Sequence, residues 1–116
     1  MIQDGWVRQA ELLRVIDGDT QWFRLDLGYR ISADFSVRTL GVNAPALSTD
    51  AGKVAGSWAG AWFAEHWHDP EEAWPYWVRT EKDRMSFNRY LGQVQCKQGH
   101  DFGADLLASG NAVAWP

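Results

Sequence analysis

The stretch Val15-Ile16-Asp17-Gly18-Asp19-Thr20 constrains the fold of this chain more than any other. An apolar run ending at Ile16 stops at Asp17-Gly18-Asp19, and a second β-rich run, Thr20-Gln21-Trp22-Phe23-Arg24-Leu25, begins at once. Asp-Gly between two such runs is a hairpin signal, because glycine accepts a positive φ where a side chain resists it. The plain reading is a tight turn between antiparallel strands. The same turn leaves two carboxylates at one strand end, where a hard cation takes oxygen ligands.

The hairpin opens a longer β pattern. Trp6 to Ile16 reads as the first strand. Thr20 to Leu27 reads as the second, with Phe23, Leu25 and Leu27 alternating against Trp22, Arg24 and Asp26. Gly28-Tyr29-Arg30 turns into a third strand, Ile31 to Val42, with Ala33, Phe35, Val37 and Thr39 on one face. Three strands in a meander must bend or close to hide their edges. Asn43-Ala44-Pro45 ends the run, since proline restricts the residue before it and donates no hydrogen bond.

Ser48-Thr49-Asp50 supplies N-cap chemistry, and the spacing predicts a helix from Asp50 to about Trp67 with Val54, Trp58, Ala61, Trp62 and Glu65 on one face. Gly52, Gly56 and Gly60 each cost this helix about 1 kcal/mol against alanine. Small residues four apart also admit a neighbouring backbone, so this face is expected to press on the sheet. After the Asp69-Pro70 loop, Trp74 to Thr80 and Arg89 to Lys97 read as the fourth and fifth strands, joined by an exposed polar connection, Glu81 to Asn88. A short helix, Asp101 to Ser109, is stopped by Gly110, and the apolar tail from Asn111 is expected to dock on the core. This order predicts a mainly β chain with two helices (α+β), written as an OB-fold: a five-stranded Greek-key barrel with a helix between the third and fourth strands.

Composition narrows the function classes. The 116 residues fit a single domain, 1–116, with one core. A net charge of −4 is the wrong sign for tight non-specific nucleic-acid binding, although a local basic patch survives it. Cys96 is the single cysteine, so no intramolecular disulfide forms. The first residues lack a basic and apolar leader pattern, and no apolar run nears the 18 residues of a membrane span, so a soluble cytoplasmic protein without membrane association is expected.

Three separated motifs carry a resemblance. Ile16-Asp17-Gly18-Asp19-Thr20, then Val37-Arg38-Thr39-Leu40-Gly41-Val42-Asn43-Ala44-Pro45, then Phe87-Asn88-Arg89 resemble, in order and spacing, the staphylococcal nuclease (thermonuclease-like) family, and most of all its short phage and actinobacterial members. The resemblance runs from about Glu11 to Trp115. It implies the nuclease-type OB barrel and Ca2+-dependent cleavage of DNA and RNA phosphodiesters. It assigns Asp19 to Ca2+, Arg38 to the scissile phosphate and Arg89 to the pentacovalent transition state, whose equatorial oxygens suit a planar guanidinium.

The chain departs from that family at several positions. Asn43 stands where the family has a second aspartate ligand, and Ala44 keeps the backbone carbonyl that the family uses as a further ligand. Ala46 replaces the glutamate that positions the attacking water, and Phe87 and Asn88 replace the tyrosine and glycine before the arginine. Losing a positioned base costs about 10²–10⁴ in rate. Removing one negative charge weakens a Ca2+ site, so Ca2+ binding is expected to be weak or lost. Asp50 is the nearest downstream carboxylate. Two functions follow: a catalytically impaired nuclease fold acting as a binding module for single-stranded nucleic acid or a protein partner, or an active Ca2+-dependent endonuclease with a rearranged site. The oligomeric state is not legible.

Other chemistry-bearing residues read as structural. His66 and His68 flank Trp67 at a helix end, where their charge suits the macrodipole, and a shared metal would need an extended segment. Cys96 alternates with Val94 and reads as buried packing. Of eight tryptophans, five fall between Trp58 and Trp77 and are expected to fill core and helix–sheet contacts first.

Overall fold

In the computed structural model, residues 7–82 and 89–115 are described. They form β1 (Val7–Asp17), β2 (Thr20–Gly28), β3 (Ile31–Thr39), β4 (Val42–Asn43), α1 (Asp50–Glu65), β5 (Tyr76–Lys82), β6 (Arg89–Cys96), α2 (Phe102–Ala108) and β7 (Val113–Ala114). The described residues are mainly β with two helices. β1, β2, β3, β6 and β5 close in that order into a five-stranded barrel of OB-like form. β1 is antiparallel to both β2 and β5, while β3 and β6 run parallel and close the circuit. Closure removes the open edges that a three-stranded meander would expose. No helix among the described residues is long and apolar enough to cross a membrane.

Alternation drives the barrel. Phe23, Leu25 and Val37 point inward with Val78, Val94 and Cys96, and all are buried. Helix α1 lies against β1. Its Phe63 meets Phe23, Trp62, Tyr76 and Phe102 at ring-centroid distances of 5.7, 5.1, 5.0 and 4.8 Å. Burial pushes the pKa of the Tyr76 hydroxyl up, with Cys96 adding to the shift, so Tyr76 stays a neutral donor to the Phe63 carbonyl.

The structure corrects several sequence expectations. The third strand does not run unbroken to Val42: Gly41 takes φ 78° and breaks it. Asn43 therefore sits in the short β4, paired with Val113 of β7, rather than in a loop. The tail docks through this pairing, with Ala112 buried while Val113 and Trp115 are exposed. The fourth strand begins at Tyr76 rather than Trp74 and runs on through Lys82, into the expected connection. The remainder of that connection, with Phe87 and Asn88, lies outside the described residues, as does Trp6.

Helix α1 ends at Glu65, and the face it buries is Gly52, Ala55, Gly56, Ala59, Trp62 and Phe63. Val54 is 60% exposed. The apolar count favoured Val54 over the small residues beside it, but close approach selects the small ones. What they approach is not mainly the sheet. A Cβ on Gly52 would lie 1.7 Å from the Ala46 carbonyl oxygen, and Gly56 faces Leu47, whereas Gly60 faces nothing within 4 Å. Gly18, too, is required for a different reason from the expected one. Its φ is not positive, yet a Cβ there would stand 2.9 Å from the Ala55 Cβ and 3.1 Å from the Ala44 Cβ. The turn is glycine so that α1 can sit on it.

Candidate nucleic-acid interface and the Asp19–Arg38 site

The Asp17–Asp19 turn and the loop of residues 44–47 are laced together. Asp19 is 5% exposed. Its Oδ1 accepts from Thr20 Oγ1 (3.1 Å) and its Oδ2 from the Ala44 backbone N–H (2.9 Å). Asp17 Oδ1 accepts from the Leu47 N–H at 3.1 Å. Gln21, fully buried, donates through Nε2 to the carbonyls of Asp17 and Gly18 from beneath. Both carboxylates of D-G-D thus pin the incoming loop, and Thr49 continues it by capping α1, accepting from the Gly52 N–H at 2.9 Å.

Arg38 completes the cluster. Its Nε lies 3.8 Å from Asp19 Oδ2. One terminal nitrogen donates to Asn43 Oδ1 at 3.1 Å and to the Val42 carbonyl at 3.4 Å. Asp19, Arg38, Asn43 and Ala44 therefore meet in one place. Ala46 stands exposed beside them with no polar side-chain atom. Asp50, exposed, opens α1 three residues beyond Leu47.

Strand register places Arg89 on the same surface. Arg38 pairs with Thr20 on β2 and Leu91 on β6, and Arg89 pairs with Ser36, two residues before Arg38. The neighbouring cross-strand line is Arg14 on β1, Trp22 on β2, Ser36 on β3 and Arg89 on β6. It lies outside the barrel, because its strand neighbours Gln21, Phe23 and Val37 are the buried ones. With strands about 4.8 Å apart the line spans roughly 15 Å. The next outward line, Glu11, Arg24 and Asp34, pairs its one arginine with two carboxylates at 3.2 and 2.9 Å and so keeps a net negative charge.

Sequence reasoning missed Gln21, Trp22 and Arg14. The alternation that places Phe23 and Leu25 inside also places Gln21 inside, and a polar residue on an interior face is the signal that was available. Trp22 and Arg14 fall on one cross-strand line with Arg89 only through register, which no local pattern reveals. The five tryptophans between Trp58 and Trp77 do not make one cluster either. Trp62 is buried, Trp58 and Trp74 are half-buried, and Trp67 and Trp77 are 46% and 40% exposed.

Fold and site together define an OB-like barrel carrying a carboxylate–guanidinium cluster at one strand end and a basic, aromatic line beside it. No family model and no curated protein matches the chain.

Proposed function

We propose that the chain is a nuclease-type Greek-key barrel that binds single-stranded nucleic acid and has lost most or all of its hydrolytic chemistry. The observation that carries the binding half is the outer line Arg14–Trp22–Ser36–Arg89 with Arg38 beside it. An aromatic platform offers a stacking surface to any base, and arginines around it track the phosphates. The strand 2–3 face is also where OB barrels take oligonucleotides.

The loss of chemistry rests on the donor set. Ca2+ takes 6–8 oxygen ligands. Here Asp19 is committed to Thr20, Ala44 and Arg38, Asn43 Oδ1 accepts from Arg38, and Asp17 is committed to Leu47. The guanidinium cancels the Asp19 charge that would attract a dication, so these residues do not fit a Ca2+ site. Ala46 offers no group to hold a water. The meeting of Asp19 with Arg38 does favour one rival reading, an active Ca2+-dependent endonuclease with a rearranged site.

Anisotropy of a labelled oligo(dT) strand tests the binding half. Affinity should fall as salt rises, since each phosphate that an arginine meets releases counterions. Trp22→Ala should weaken binding by about tenfold or more, because one stacked base is worth about 1–3 kcal/mol. Salt-insensitive binding, or a Trp22→Ala protein that binds like the wild type, contradicts the proposal.

A further inference from the structure

All three histidines of the chain converge at the far end of α1. His66, which closes that helix, lies with its ring centroid 5.2 Å from that of His100 and 5.7 Å from that of His68. One ligand atom each from His66, His100 and Asp105 falls within 4.8 Å of the others. In the sequence His66 and His68, with Asp69, Glu71 and Glu72 nearby, read as solvated helix-end residues rather than a metal site. His100, in the turn before α2, is the partner that reading lacked.

We propose that His66, His100 and Asp105 form a binding site for a transition-metal ion of the Zn2+ class. Two imidazoles on one tetrahedral ion, at about 2.0–2.1 Å from each nitrogen, hold their ring centroids roughly 5 Å apart, the separation seen for His66 and His100. Trp62 orients two of the ligands. Its carbonyl lies 2.7 Å from His66 Nδ1. A carbonyl only accepts, so the neutral ring carries its proton on Nδ1 and presents the Nε2 lone pair. The Trp62 indole N–H donates to Asp105 Oδ2 at 2.8 Å, leaving Oδ1 to ligate. The indole ring stacks on His66 at 4.0 Å and 17°. Outer-shell bonds of this kind fix tautomer and direction in metal centres.

The third ligand is held by its backbone. The His100 carbonyl accepts from the Cys96 N–H at 3.0 Å across a turn closed by Gly99 at φ 88°, while its imidazole is exposed. The electrostatics agree: the C-terminus of the 16-residue α1 carries partial negative charge, its last turn holds no basic residue, and Asp105 adds a full negative charge. Two imidazoles and one carboxylate select Zn2+, Cu2+ or Ni2+ over Ca2+ and Mg2+. Three protein ligands leave one position open. His68 stands beside the set, its Nε2 3.4 Å from Cys96 Sγ.

Calorimetric titration with Zn2+, and with Co2+ as a visible reporter, tests this site without reference to nucleic acid. Wild-type protein should take up one equivalent of Zn2+, and Co2+ should develop the d–d bands of a tetrahedral centre. Affinity should fall as the pH is lowered, because protons compete with the ion for its ligand atoms. His100→Ala and Asp105→Asn each alter an exposed or half-exposed side chain, and the asparagine still accepts from Trp62. Each should weaken binding more than tenfold with an unchanged circular dichroism spectrum. Failure to bind Zn2+ saturably, or variants that bind it like the wild type, overturns the proposal.

Discussion

Phe63→Ala should destabilise the protein by about 3–5 kcal/mol, the range for emptying an aromatic site in a packed core. Phe63 is 1% exposed and sits where both helices meet the barrel. It stacks on Phe102 of α2 and meets Phe23 of β2 and Tyr76 of β5 edge-on. Removing it leaves a void whose walls belong to four different elements, so no single movement closes it. A loss of this size is a large fraction of the 5–15 kcal/mol that holds a domain of this class together. Urea denaturation should show a sharply lower midpoint with little change in slope. A loss below about 1.5 kcal/mol would mean that the rings are not packed as described.

Gly52→Ala should also destabilise, by about 2 kcal/mol or more, against the usual direction for a helix. Alanine in place of a helical glycine ordinarily gains up to about 1 kcal/mol. At this position the new Cβ would lie 1.7 Å from the Ala46 oxygen and 2.3 Å from its carbonyl carbon, both backbone atoms. The loop cannot simply step aside, because Asp17 holds the Leu47 N–H and Asp19 holds the Ala44 N–H. Overpacking outweighs propensity. Gly60→Ala, on the same helix with nothing within 4 Å, should instead stabilise by about 0.4–1 kcal/mol. Thermal melts of the two variants should move in opposite directions, and a stabilised Gly52→Ala protein would show that the loop does not press on α1.

These contrasts also mark what could be read from the sequence. The first hairpin, the alternation of Phe23, Leu25 and Val37, the helix between the third and fourth barrel strands, and the caps at Thr49 and Gly110 are local signals, and local signals are legible. The buried face of α1 was misread because Val54 is more apolar than Gly52, whereas backbone contact with Ala46 favours the residue with no side chain. Gly18 was rightly singled out but for its φ, when the reason lies in Ala55, which is 37 residues away in the chain.

The candidate sites divide the same way. The resemblance put Asp19, Arg38 and Arg89 on one side of the barrel, but nothing in the motifs tells that Arg38 pairs with Asp19 and donates to Asn43. Trp22 acquires its place on the line from Arg14 to Arg89 only from strand pairing, and His66 gains His100 only when the β6–α2 turn folds back against α1.

The central claim is a barrel that holds a single strand without cutting it. Its most direct test follows one labelled single-stranded DNA in the presence of Ca2+, reading anisotropy and strand length on the same sample. The account predicts raised, salt-sensitive anisotropy and full-length DNA, with any cleavage slower by about 10²–10⁴ than that of a nuclease with its base in place. Cleavage within tenfold of such an enzyme would contradict it and return Asp19 and Arg38 to a working active site.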